Sequence, residues 1–329
     1  MSFTVRSLRL PDDYEDIARL VNTYWSEPTD AARLEEDDSK LFSIGRTFLD
    51  ENGQLGGYDR LRQLAVTEQD EAVGYLWTWR APWTEHGTLN HTMVIDQTFR
   101  RRGVGKLLLH QALDWAHTLG ASKIVTEVWD NDEASLHFAR NHGFVVERHT
   151  FQSVLSLDGL DAANIYGGDA SKQLEREGIR FTTLAEEGVD KGEIQLHQLY
   201  KETMEDIPGF TGKVPEISEW RKWYLMANGY APEQVLIAAD GERYVGVTNV
   251  LHNAQTNGMY HEYTGVRRDY RRRNIGLALK VKAIELAVSR KADYIRTDND
   301  STNEPILTIN RRLGYLPLLG KYLMVVSLK

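Results

Sequence analysis

Arg100-Arg101-Arg102-Gly103-Val104-Gly105 and, 171 residues later, Arg271-Arg272-Arg273-Asn274-Ile275-Gly276 are the two stretches from which the fold of this 329-residue chain is read. Each follows a run with strand character, Met93-Val94-Ile95 in the first case and Tyr263-Thr264-Gly265-Val266 in the second. Each opens an amphipathic helix. Val104, Leu108, Ala112, Trp115 and Leu119 recur at helical spacing, and so do Ile275, Leu279, Ala283 and Leu286. Second strands follow at 123–128 and 294–298. Residues 95–144 align without a gap on 266–315 with 14 identities in 50, where about three would arise by chance. A period of 171 is the size of a domain, far too long for a solenoid repeat.

Outside this block the two copies keep the same order. The first opens with an alternating stretch from Phe3 to Leu10 and a helical pattern through Ile17, Leu20, Val21 and Tyr24; the second opens with 179–184 and a helix carrying Ile194, Leu196, Leu199 and Tyr200. Strand-like runs at 61–67 and 73–79 form one hairpin, and 235–239 and 244–251, joined at Asp240-Gly241, form another. Hairpins give antiparallel strands, whereas a strand–helix–strand crossover gives a parallel pair. The expected class is therefore α/β with a mixed, mostly antiparallel sheet flanked by helices, present twice in tandem. A Gly-, Asp- and Ala-rich stretch from Asp158 to Lys172 suggests the division: a first domain over 1–160, a linker over 161–175 and a second domain over 176–329.

Composition narrows the function. The chain is 41% hydrophobic and 26% charged, and Lys+Arg 39 against Asp+Glu 48 gives a net charge of −9, which disfavours a nucleic-acid or anionic-membrane binder. With no cysteine, disulfides, Cys-ligated zinc, iron–sulfur clusters and a thiol nucleophile are excluded, and no metal-ligand spacing stands out among the ten histidines. Met1 to Leu20 carries charges throughout, without the apolar core of a signal peptide, and a cytoplasmic location is expected.

The arginine-rich turns carry the chemistry. The first N–H groups of a helix lack internal partners, and its dipole adds partial positive charge there. Glycines let phosphate approach the backbone, and guanidinium groups surround it. Neither a P-loop nor a dinucleotide-binding fingerprint is present. Arg-x-x-Gly-x-Gly after a strand, an Asn/Glu-containing turn, and a helix ending in Gly143-Phe144 together resemble the GNAT superfamily of acetyl-CoA-dependent N-acetyltransferases. The tandem layout resembles two-domain members of the mycothiol synthase type. The resemblance implies acetyl-CoA as co-substrate, with no metal. It also implies that Arg100, Arg101, Arg102, Gly103, Val104, Gly105 and Lys106 bind the pyrophosphate in copy one, and Arg271, Arg272, Arg273, Asn274, Ile275 and Gly276 in copy two. Backbone at Ile95 and Val266 would pair with the pantetheine arm, and Asn303 would contact it or cap its helix, as would Asp132 in copy one. Asn274 in place of the first glycine is expected to weaken the second site.

Acetyl transfer to an amine needs a base, because an alkylammonium has a pKa near 10.4. The resemblance implies a carboxylate on the strand before the turn: copy two offers Glu262, four residues before Val266, copy one has His91 at the equivalent place, and Glu127 and Asp298 are secondary candidates. Where the family commonly has a tyrosine as general acid, copy one has Ala139 and copy two Asn310. Trp77, Trp79, Trp83, Trp129, Trp220 and Trp223 are either core residues or walls of an acceptor pocket. The acidic stretches 35–38 and 202–206 are either solvated surface or an attraction for a cationic acceptor. The expected function is N-acetyl transfer to a primary amine of a small molecule or peptide by direct attack in a ternary complex. A catalytically silent acyl-CoA-binding module is the alternative.

Overall fold

The computed structural model describes residues 2–161, 165 and 168–328. In the first half of the chain the elements are β1 (Thr4–Ser7), α1 (Tyr14–Val21), α2 (Ala31–Ser39), β2 (Arg46–Leu49), β3 (Leu55–Val66), β4 (Ala72–Arg80) and β5 (Thr88–Ile95). After them come α3 (Val104–Leu119), β6 (Lys123–Trp129), α4 (Glu133–Asn141) and β7 (Val145–Ser156). The second half continues with α5 (Gly168–Arg176), β8 (Ile179–Thr183), α6 (Leu184–Glu187), α7 (Val189–Met204), α8 (Ile217–Trp220), β9 (Val235–Asp240) and β10 (Arg243–Asn253). It closes with β11 (Gly258–Val266), α9 (Ile275–Ser289), β12 (Tyr294–Asp300), α10 (Glu304–Arg312) and β13 (Leu316–Ser327).

Two compact units result, and neither is a simple half of the chain. The first comprises residues 1–148 with 321–329, and the second comprises 149–320. A cut at residue 160 would assign both closing strands to the other unit. In the first unit the strands lie in the order β1-β3-β4-β5-β6-β13, with β2 beside β3. In the second the order is β7-β12-β11-β10-β9-β8. Lys321–Ser327 pair antiparallel with Trp129–Lys123, and Thr150–Ser156 pair antiparallel with Asp300–Tyr294. Of the expected linker, 162–164, 166 and 167 lie outside the described residues, and α5 occupies its end.

The sheets are mixed, as hairpin and crossover signals require: β3, β4 and β5 run antiparallel, β5 and β6 parallel, and β11 and β12 parallel. In the first unit Ile17, Leu20 and Val21 of α1 pack with Leu64, Tyr75 and Val94 on one face. Val104, Leu108 and Ala112 of α3 pack with Ala65 and Leu76 on the other. Gly74 makes that second packing possible, because a Cβ there would stand 3.0 Å from the side chains of both Leu108 and Ile95. Gly246 does the same in the second unit, facing Ile275 at 2.9 Å and Leu279 at 3.0 Å.

Met324 of β13 is fully buried in the first unit's core beside Leu89, Ile124 and Phe144. Met324→Ala is expected to cost the first unit about 2–5 kcal/mol. Hydrogen–deuterium exchange checks this: protection should fall across Lys123–Trp129, some 200 residues away in sequence.

Candidate active site

Strand β5 pairs with β6 only as far as His91 opposite Thr126, although β5 runs on to Ile95 and β6 to Trp129. Residues 92–95 therefore have ladder partners on β4 alone. The gap leads into a cavity of about 480 Å³ lined from both faces of the sheet. Tyr24 and Val94 line it from the α1 face; Leu109, Phe138 and Phe144 line it from the α3 face.

The arginine turn closes one end of the cavity. A short 3-10 turn at Gln97–Phe99 leads from β5 to Arg100, Arg101 takes a left-handed φ of 64°, and Gly103 takes φ 91° before the first turn of α3. His91, Ile95, Arg100, Arg101, Gly103, Gly105 and Lys106 all line the cavity. Two of the expected residues do not. Val104 is buried in the core beneath α3, and Arg102 lays its guanidinium over the Phe99 ring at 5.4 Å. Arg100 Nε donates to the Ile95 carbonyl at 3.4 Å, and its Nη1 reaches Asp132 Oδ2 at 3.2 Å. Asp132 also caps α4, accepting from Ser135 N at 3.0 Å, so it serves as cap and counter-ion together. Arg101 has no ion pair or hydrogen bond among the described residues, which leaves its charge available to an anion.

The second unit repeats the turn with two of its three arginines already paired. Arg271 Nε donates to the Val266 carbonyl at 3.0 Å, while its guanidinium and that of Arg268 both grip Asp206. Arg273 pairs with Glu177 at 3.3 Å. Asn274 adopts φ 65°, so the left-handed backbone of the turn survives without glycine, as asparagine's tolerance of that region allows. Ile275 is buried, Gly276 packs near Ile309 and Val266, Arg272 takes φ 62°, and Asn303 sits at the start of α10 without a side-chain capping bond. None of these second-unit residues lines the cavity.

The structure corrects the pairing of His91 with Glu262. The β10–β11 register slips between Asn249 and Val250, so Glu262 has no residue opposite and forms a bulge. His261, paired with Thr297, is the true counterpart of His91, paired with Thr126. A one-residue gap aligning the two histidines would have shown this; the gapless block stopped short of them.

The two base candidates also differ in strength. His91 is buried, with Nδ1 2.9 Å from Thr78 Oγ1, and burial pushes its pKa down to about 4. Glu262 is half-buried, and burial, reinforced by the nearby Asp298 carboxylate, pushes its pKa up to about 7. Ala139 lines the cavity where a tyrosine acid is common, whereas Tyr315 is buried with its hydroxyl 2.9 Å from His261 Nε2. Sequence reading offered Tyr315 as a substitute acid but missed Lys280, which is 1% exposed and lies over the Tyr315 ring at 5.1 Å. Lys280 and Tyr315 stand where the first unit has the cavity-lining Leu109 and Phe144.

The acetyltransferase (GNAT) family pattern matches residues 16–144 and 195–315, well over half of the chain. The chain belongs to the GNAT family. Its tandem arrangement is shared by solved GNAT structures. One is a GCN5-related N-acetyltransferase from Sphaerobacter thermophilus, with 20% identity and TM-score 0.70, covering 99% of this chain and 95% of that one. Another is a tandem GNAT protein from the clavulanic acid biosynthesis pathway, with 16% identity and TM-score 0.73, covering 99% and 98%. A curated relative from Bacillus subtilis (strain 168), named "Putative phosphinothricin acetyltransferase YwnH", is 28% identical over 159 residues, 46% of this chain and 91% of its own length. Among the described residues no group of His, Asp and Glu side chains has the arrangement to hold a metal ion, and no helix is long and apolar enough to cross a membrane.

A histidine held neutral when folded takes up a proton on unfolding between about pH 6.5 and 4. Its contribution to stability is complete above pH 6.5 and is lost as the pH falls through that window. For His91 the loss should approach 3 kcal/mol, on the order of 1.4 kcal/mol for each pH unit of displacement. Urea unfolding at pH 7 and pH 4.5 checks it: His91→Gln should be less acid-sensitive than the wild type, with His261 supplying the remaining slope in the same direction.

Proposed function

We propose that the chain is an N-acetyltransferase that binds acetyl-CoA in the first unit and acetylates a primary amine of a small molecule or peptide. The observation that carries this is the first-unit cavity, which joins an anion-seeking helix start to an unpaired strand edge and a buried histidine. The groups present suit such a co-substrate. N–H groups at the start of α3, with Arg101 and Lys106, suit a diphosphate, and the free edge of 92–95 suits an amide-containing arm. Acetyl-CoA would supply the acetyl group as a thioester. His91 is proposed as the proton acceptor of the first unit; Glu262 would take that role only in a second unit that bound acetyl-CoA, which the paired arginines of its turn disfavour. No cysteine exists to carry the acetyl group covalently, so the amine attacks the carbonyl directly and the thiolate leaves.

A second reading has one observation in its favour. Histidine pushed down to about pKa 4 is a weak base, which suits a unit that binds an acyl-CoA without turning it over. Thiol release across a panel of amines separates the two: transferase activity should appear with at least one amine and fall at least 100-fold in His91→Gln, the scale of general-base catalysis. Binding without release from any amine supports the silent module.

Calorimetric titration with acetyl-CoA should give one site per chain. Gly103→Asn copies the second unit's residue and its left-handed turn, and a Cβ at Gly103 meets nothing within 4 Å, so folding should be preserved. Binding should nevertheless weaken at least tenfold, because the added side chain enters space meant for phosphate, whereas Asn274→Gly should leave it unchanged.

A further inference from the structure

Lys321 stands directly across from Trp129 in the β6–β13 pair. Its ammonium lies 4.6 Å from the Tyr24 ring centroid, 4.7 Å from that of Trp129 and 3.3 Å from Glu127 Oε2. With only 20% of its side chain exposed, this lysine has given up most of its hydration for two ring faces and a carboxylate. The walls are fixed independently of it. Tyr24 Oη donates to the Glu127 carbonyl at 3.0 Å, Trp129 Nε1 donates to the Tyr24 carbonyl at 2.8 Å, and the rings meet edge to face at 6.1 Å. Tyr24, Glu127 and Trp129 are also cavity-lining residues.

We propose that Tyr24, Glu127 and Trp129 form a binding site for the alkylammonium group of a ligand entering the cavity, and that Lys321 fills this site as a tethered substitute until such a ligand displaces it. Two aromatic faces with one carboxylate recognise an alkyl-borne positive charge in general, and nothing in the cage is particular to lysine. Tethering raises the local concentration of Lys321 to the millimolar range, so a competitor must gain contacts elsewhere in the cavity. Two ring faces and a carboxylate recognise a positive charge, whereas a nitrogen that accepts an acetyl group must be neutral. The bound group is therefore a recognised cation, and a reacting amine lies elsewhere on the same ligand. Identifying this ligand with the acetyl acceptor rests on the transferase reading; the cage does not.

The test uses n-propylammonium chloride, which replaces the atoms removed by Lys321→Ala. Ligand NMR titration at constant ionic strength should show Lys321→Ala binding it at least tenfold more tightly than the wild type. Adding Trp129→Ala or Glu127→Gln to that variant should abolish the gain, and Lys321→Ser serves equally if the alanine variant is unstable. Equal affinity in wild type and variant, absence of binding in both lysine variants, or binding that survives loss of Trp129 and of Glu127 each overturns the proposal. Because no coenzyme is added, failure of acetyl-CoA to bind in its own titration would remove the transferase reading and leave this result standing.

Discussion

Parallel strands hold together only while their backbone groups face one another, and in the first unit β5 and β6 cease to do so after His91 and Thr126. A strand edge without a ladder partner must find other hydrogen-bond partners, at a cost on the order of 1–3 kcal/mol for each buried group that finds none. The half-buried edge at 92–95, with Arg100 Nε on the Ile95 carbonyl, is nevertheless kept, at the point where the arginine turn and the start of α3 also line the cavity. One constraint thus places an amide edge, an anion site and a passage between the two faces of the sheet in the same cavity. The residues that line it need no unusual chemistry of their own, because position supplies their role.

The second unit shows what happens when the same scaffold is filled from within. Its strands part at the same register, after His261 and Thr297. Where the first unit has Leu109 and Phe144, it has Lys280 and Tyr315, tied through His261 to Thr248 and on to Thr264. Burial, with no carboxylate partner among the described residues, pushes Lys280 down to about pKa 7, a shift that a solvent-filled space would not impose. Asp206 and Glu177 meanwhile neutralise two of the three arginines of the turn. The backbone features of the site persist while its room and charge are taken up by side chains.

The duplication, the mixed sheets and the site of the turn were legible because they rest on periodicity and local backbone chemistry. Gly103 and the spacing of Val104, Leu108 and Ala112 specify a helix start whatever surrounds them. Three things were not legible, each for a non-local reason. The bulge at Glu262 adds one residue to a strand without disturbing its alternation enough to mark it. The ion pairs of Arg271 and Arg273 depend on acids 65 and 96 residues away in sequence. Lys280 looks like an exposed helical residue until the fold packs Tyr315 against it.

The placement of β7 and β13 was equally hidden, and it changes what a domain means here. A strand's side-chain pattern reports that one face is buried, not which sheet buries it. Val145–Ser156 follows the first repeat in sequence yet lends residues 150–156 to β12, and Leu316–Ser327 returns residues 321–327 to β6. The first unit's cavity accordingly has as near neighbours of its wall residues a lysine and a methionine from the last nine residues of the chain. Had each repeat closed its own sheet, Lys321 would have no route to Tyr24 and Trp129. The cation that fills that aromatic corner is thus a product of strand exchange rather than of either repeat alone.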